Sequence, residues 1–172
     1  SQTNCRKIDT KEGSNLNSLG LEIFNVYKSL IPSRIEVVNR TVNEVIQSVI
    51  NIYSNMDNDL LFELKVVLNE LILNAIIHGN KEDKDKFVEV NAAITKSNYF
   101  LLSISDEGEG YDYNFYLKKC SENKDVLCWN DVEEKGRGIK IVKSLCDNIR
   151  FNEKGNKVFV VKSLEKHYIT SE

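Results

Sequence analysis

No two of the four cysteines, Cys5, Cys120, Cys128 and Cys146, are spaced as a C-x-x-C pair, and Cys120 and Cys128 lack the partners and spacing of a zinc site. A disulfide framework and a structural zinc are therefore set aside. Reduced thiols in a reducing compartment are expected, the cytoplasm by default. No apolar run approaches the length of a membrane span, and the start carries no signal-peptide pattern. Charge of one sign is scarce too. A net charge of -3 gives no electrostatic reason to expect DNA, RNA or an anionic membrane as partner. Internal repeats and low-complexity blocks are missing, and there is one proline, Pro32.

What is present is ordinary in bulk: 172 residues, 41% hydrophobic and 28% charged, enough for one domain with a real core. Residues 1–18 are polar and without apolar periodicity, which predicts a mobile tail. A single domain is expected over 19–166, with a short C-terminal tail at 167–172. Leu21 to Leu30 is rich in branched and aromatic residues and predicts a strand that Pro32 closes. Ser33 is placed to cap a first amphipathic helix from Ile35 to Tyr53, in which Val38, Val42, Val45, Ile46, Val49 and Ile52 keep helical spacing. Phe87–Thr95 and Tyr99–Ser105 read as an antiparallel hairpin. Residues 111–135 have weak periodicity and many charges. Gly136-Arg137-Gly138 opens a third helix, Ile139 to Cys146, and a second hairpin closes the chain around the turn Glu153–Asn156. This order predicts an α+β fold: a two-layer sandwich of a mostly antiparallel, mixed sheet with helices on one face.

The informative stretch is the helix predicted from Leu60 to Gly79, with Asn58 or Asp59 as its cap. Leu61, Leu64, Leu68, Leu71 and Ala75 mark a core face. Glu70, Asn74 and His78 sit four apart and form a polar stripe among Leu71, Ile72, Leu73, Ile76 and Ile77. A carboxylate and an amide there are costly unless something satisfies them. The plain alternative is that Glu70 and Asn74 lie on a solvated face, with His78 as a helix-end cation. Gly79 would end the helix in the usual C-terminal manner.

Two further motifs are weak alone. Asp106-Glu-Gly-Glu-Gly110 follows a strand; its aspartate can accept from an exocyclic amino group, and Gly108 and Gly110 let a flat ring approach the backbone, although Asp-x-Gly after a strand is most often a turn. Gly136-Arg137-Gly138 before a helix offers free N–H groups as an anion site, although glycines commonly start helices and Arg137 can be a surface cation.

In this order, Glu70-x-x-x-Asn74, Asp106–Gly110 and Gly136–Gly138 resemble the N, G1 and G2 boxes of the GHKL nucleotide-binding superfamily. Within it the chain looks most like the small bacterial anti-sigma-factor serine kinases. Leu30–Val38 resembles that family's strand-to-helix junction, Asn74-Ala-Ile-Ile-His-Gly79 its N box, and Val158–Leu164 its closing strand. The resemblance spans about residues 20–165 and implies a Bergerat-type ATP-binding fold. It implies that Asn74 gives its amide oxygen to Mg²⁺ and that Glu70 is the general base. It also implies that Asp106 reads the adenine amino group beside Gly108 and Gly110. Gly136 and Gly138, with a lid from 111 to 135, would hold the phosphates of ATP, with Lys135 and Arg137 as charge partners. His78 falls behind the site.

One departure stands out. Where the family usually has Gly-Thr in the last hairpin, this chain has Gly155-Asn156, which puts nucleotide affinity or selectivity in question. The implied activity is an ATP-dependent serine/threonine protein kinase that phosphorylates an antagonist protein of the anti-anti-sigma type and sequesters a sigma factor. The alternative is a nucleotide-dependent binding module, or a simple ATPase, without kinase turnover. The family often forms homodimers. A histidine-kinase role fits badly, because the only histidines are His78 and His167.

Overall fold

The computed structural model describes residues 6–7, 15–16, 22–110 and 134–165, with side chains from 22–110 and 137–165. Its strands are β1 (Arg6–Lys7), β2 (Asn15–Leu16), β3 (Glu22–Pro32), β4 (Phe87–Thr95), β5 (Tyr99–Asp106), β6 (Asn148–Phe151) and β7 (Lys157–Ser163). The helices are α1 (Val38–Ile52), α2 (Asn58–Leu73) and α3 (Glu134–Leu145). The sheet runs β1-β3-β4-β5-β7-β6, with β2 also on β3. Every pair among the described residues is antiparallel. The expected mixture of strand directions is thus absent there, because each connection between neighbouring long strands is a hairpin or a return over the helical layer.

Alternation decides which face the helices cover. In β4, Val88, Val90, Ala92 and Ile94 are buried, and their neighbours Ile104, Leu102 and Phe100 of β5 and Val158 and Val160 of β7 join them. Val42, Val45, Ile46 and Val49 of α1 and Leu64, Val67, Leu68, Leu71 and Ile72 of α2 close the same core. At roughly 1.5–3 kcal/mol per fully buried aliphatic side chain, this layer contact is the main driving force for the fold. One cation is enclosed with it. Lys162 of β7 is buried, pairs with Glu63 at 2.7 Å and donates to the Leu145 carbonyl, so one side chain ties α2 and the end of α3 to the sheet.

Several boundaries differ from the sequence expectation for local reasons. Residues Ile35–Val37 form a 3₁₀ turn before α1, and no side chain caps either start; the Ser33 hydroxyl is instead buried and has no partner among the described residues. Asp57, not Asn58 or Asp59, caps α2, accepting from Leu60 N at 2.8 Å. Within the stretch expected to be a tail, β1 pairs with Leu30 and Ser29, and β2 pairs with Ile23 and Glu22. Of the lid expected over 111–135, residues 111–133 lie outside the described residues, as does the C-terminal segment at 167–172.

Candidate active site

The helix that carries Glu70 changes character at Asn74. Residues Asn74–Gly79 form a π turn, seen in the Asn80 N–H donating to the Ala75 carbonyl at 2.8 Å. Hydrogen bonds from i to i+5 rotate the chain less per residue than α-helical ones. The phase that aligned His78 with Glu70 and Asn74 therefore ends at Asn74. The chain then leaves through Lys81 and Glu82, both left-handed at φ 56° and 55°. Gly79 is not the left-handed terminator expected of it; a glycine is needed there because any Cβ would run into the Asp106 carboxylate.

Asn80, wholly buried, fixes the next step. Its Nδ2 donates to the Phe87 carbonyl at 2.9 Å, and its Oδ1 accepts from Glu107 N at 2.8 Å, so the π turn is stitched to both β4 and the loop after β5. Asp106 is thereby held with its carboxylate between the backbones of Gly79 and Gly108, its Oδ1 accepting from Gly108 N at 2.9 Å. Burial pushes this carboxyl above its ordinary value, against the opposing pull of the Gly108 N–H, Lys154 and Lys86. Gly110, at φ 85°, passes so close to the Lys154 carbonyl that no side chain fits.

The turn between β6 and β7 supplies the opposite edge. Asn152 Oδ1 accepts from the backbone of Gly155 (2.9 Å), Asn156 (3.0 Å) and Lys157 (3.0 Å). Its Nδ2 donates to Asn156 Oδ1 at 2.8 Å. Asn156 in turn donates from Nδ2 to the Asp106 carbonyl at 3.0 Å, while Asp106 N donates to the Asn156 carbonyl at 2.9 Å. The asparagine standing where a threonine was expected thus has its amide engaged with protein on both sides.

The helical wall is built differently. Gly138, in the first turns of α3, lies directly over Glu70 and Asn74: a Cβ there would fall on the Glu70 carboxylate and 3.3 Å from Asn74 Nδ2. That Nδ2 is buried and has no hydrogen-bond partner among the described residues. Floor and wall enclose a cavity of about 20 Å³ lined by Leu71, Asn74, Ile104, Asp106, Ile139 and Asn156, among others. That is room for about one water molecule.

The structure therefore brings Asn74, Asp106 and Asn156 to one cavity; Glu70 and Gly138 lie outside its lining, packed together beside Asn74, and Gly108 lies beside Asp106. Arg137 is exposed. Lys135 and Gly136 lie within α3, which begins at Glu134, so the glycines sit inside the helix rather than ahead of it; the side chain of Lys135 is outside the described set. Sequence reasoning missed Asn80 and Asn152. For Asn152 a signal exists, since Asn preceding a Gly-containing turn is a side-chain cap of backbone N–H groups.

A family model described as the histidine kinase-like ATPase domain matches residues 31–162. The chain belongs to the histidine kinase-like ATPase domain family. This membership implies ATP binding. Among curated relatives, the chain is 34% identical to an anti-sigma F factor of Priestia megaterium over 54% of this chain and 60% of that protein. It is 31% identical to the anti-sigma F factor of Halalkalibacterium halodurans over 63% of this chain and 73% of that protein. It is 25% identical to the serine-protein kinase RsbW of Bacillus subtilis over 62% of this chain and 66% of that protein. No helix of this ATPase domain, among the described residues, is long and apolar enough to cross a membrane.

Proposed function

We propose that this ATPase domain is an anti-sigma-type serine/threonine protein kinase, which phosphorylates an antagonist protein and sequesters a sigma factor in the cytoplasm. The observation that carries the reading is the pairing of Glu70 and Asn74, one turn apart, under Gly138, with Asn74 lining the same cavity as Asp106. The names of the relatives, anti-sigma F factor and serine-protein kinase, support the choice of acceptor and partner.

The residues divide the work as follows. Asp106 accepts the adenine amino hydrogen, its second oxygen being free of the Gly108 bond. Gly108 and Gly110 leave room for the ring, Gly136 in the first turn of α3 presents its N–H to the phosphates, and Gly138 lets the helix close over Asn74, with Lys135 and Arg137 as charge partners of the phosphates. Glu70 takes the proton of the acceptor hydroxyl as its oxygen attacks the γ-phosphorus, and ADP leaves. Asn74 fits a Mg²⁺ ligand: no partner among the described residues fixes its buried Nδ2, so the amide can turn its oxygen outward, and Mg²⁺ takes only one or two protein oxygens beside phosphates. Bound there, the ion would neutralise charge on the phosphates. Incubation with Mg²⁺, labelled ATP and candidate antagonist domains tests the reading. Label reaching a serine or threonine in wild type but not in Glu70→Ala is the expected result; undiminished transfer by Glu70→Ala removes the base.

The amide of Asn156, engaged with Asn152 and Asp106 where the family's threonine was expected, favours one second reading, a module that binds nucleotide and turns nothing over. Steady-state phosphotransfer that Asn74→Ala abolishes excludes it.

A further inference from the structure

The orientation of one side-chain amide in the floor is dictated from a distance. Asn152 Oδ1 receives three backbone N–H groups, those of Gly155, Asn156 and Lys157, so this oxygen cannot exchange places with its nitrogen. The NH₂ group of Asn152 must then face Asn156, and only an oxygen can receive it. With Asn156 Oδ1 so placed, its NH₂ faces the Asp106 carbonyl. Together with the Asp106 N–H to the Asn156 carbonyl, this gives Asp106 two hydrogen bonds with one residue, one accepted and one donated, and both depend on how Asn156 stands. A chain of three residues therefore runs from the outer turn to the carboxylate at the cavity floor.

We infer that Asn152 is a positioning residue for base recognition: through Asn156 it holds the Asp106 backbone so that the carboxylate meets the amino group of a purine. The inference rests on the nucleotide reading above and adds to it the residue that sets amino-group selectivity in a chain lacking the expected threonine. Its chemistry is asymmetric, and that makes it separable from a role in folding. An aspartate at 152 accepts the three backbone N–H groups at least as well as asparagine, because a carboxylate is acceptor-only and charged. It has nothing to donate to Asn156 Oδ1. Asn156→Asp breaks the following link instead, placing a carboxylate oxygen against the Asp106 carbonyl.

The test is calorimetric titration of wild type, Asn152→Asp and Asn156→Asp with ATP and with the purine riboside triphosphate that lacks adenine's amino group, alongside thermal unfolding. Wild type should prefer ATP. In both variants ATP should bind about tenfold more weakly, the scale of one misaligned hydrogen bond, while the analogue binds as before. The thermal midpoint of Asn152→Asp should fall no further than that of Asn156→Asp, since the three backbone N–H groups keep their acceptor. Equal weakening of both nucleotides would reduce Asn152 to a folding role and overturn the inference, as would unchanged ATP binding in both variants. Wild type that binds neither nucleotide would remove the nucleotide reading itself.

Discussion

The two sides of the cavity treat polar groups in opposite ways. On the sheet side, Asp106, Asn152 and Asn156 satisfy one another in a closed set of hydrogen bonds. On the helix side, Glu70 and Asn74 lie under Gly138 and the Asn74 nitrogen has no hydrogen-bond partner among the described residues. A satisfied network is rigid and stabilises the fold; a buried polar group without a partner costs about 1–3 kcal/mol and persists where a ligand uses it. In the proposed reading the floor is organised before the nucleotide arrives, and the wall is completed by it.

The comparison can be broken most strongly at Gly138. Gly138→Ala drives a methyl group onto the Glu70 carboxylate, and a displacement of that order is expected to lower phosphotransfer about 10²-fold, read in a single-turnover assay. Gly79→Ala attacks the joint between the two sides, since its Cβ meets the Asp106 carboxylate. Overpacking of this kind should cost about 1–3 kcal/mol in denaturant unfolding and weaken ATP binding with it. A matched pair then sharpens the contrast. Asn156→Ala should lose about 1–2 kcal/mol of stability, because it leaves the Asp106 carbonyl and Asn152 Nδ2 without partners. Asn74→Ala should lose none and gain up to about 1 kcal/mol, while phosphotransfer disappears. Equal destabilisation by both would erase the distinction drawn here.

The smallest expected effect is in pH. Burial raises the Asp106 carboxyl above its ordinary value of 3.8, so the folded chain holds this proton more tightly than the unfolded one. Its contribution to stability is complete below the unfolded value and is lost as pH rises through the folded value. Asp106→Asn should therefore gain stability relative to wild type on going from strong acid to neutrality, as two denaturant titrations would measure. ATP binding by wild type should weaken on acidification through the same window, since only the carboxylate accepts with both oxygens.

Much of this architecture is legible from residue order. The core faces of α1 and α2 follow from Val42, Val45, Val49, Leu64, Leu68 and Leu71, because burial on one side of a helix imposes a period that sequence displays directly. The pairing of Phe87–Thr95 with Tyr99–Ser105 follows from alternation in the same way. Glu70 and Asn74 could be singled out because their chemistry is unusual among apolar neighbours, and Asp106 because it opens a glycine-containing motif directly after a strand. What could not be read are features set by contacts between distant segments. The π turn uses residues that suit an α-helix equally well. The reason for Gly79 lies 27 residues away in Asp106, so a terminator was the natural expectation and a steric one the outcome. Asn80 and Asn152 look like ordinary loop asparagines until β4, β5 and β7 bring their acceptors and donors together. Buried Lys162 interrupts an apolar strand with no hint that Glu63 waits for it.

The π turn at Asn74–Gly79 also sets a limit on how this helix can change. It carries one residue more than an α-helix of equal length would, and that surplus is what carries Gly79 up to the carboxylate of Asp106. Excising a single residue from 75–78 would regularise the helix and strengthen it locally, yet would withdraw the glycine and release the aspartate from its slot. Helix regularity and nucleotide recognition are in this sense opposed within six residues, so a variant library scored for thermal resistance alone should drift toward shortened turns that no longer hold a purine.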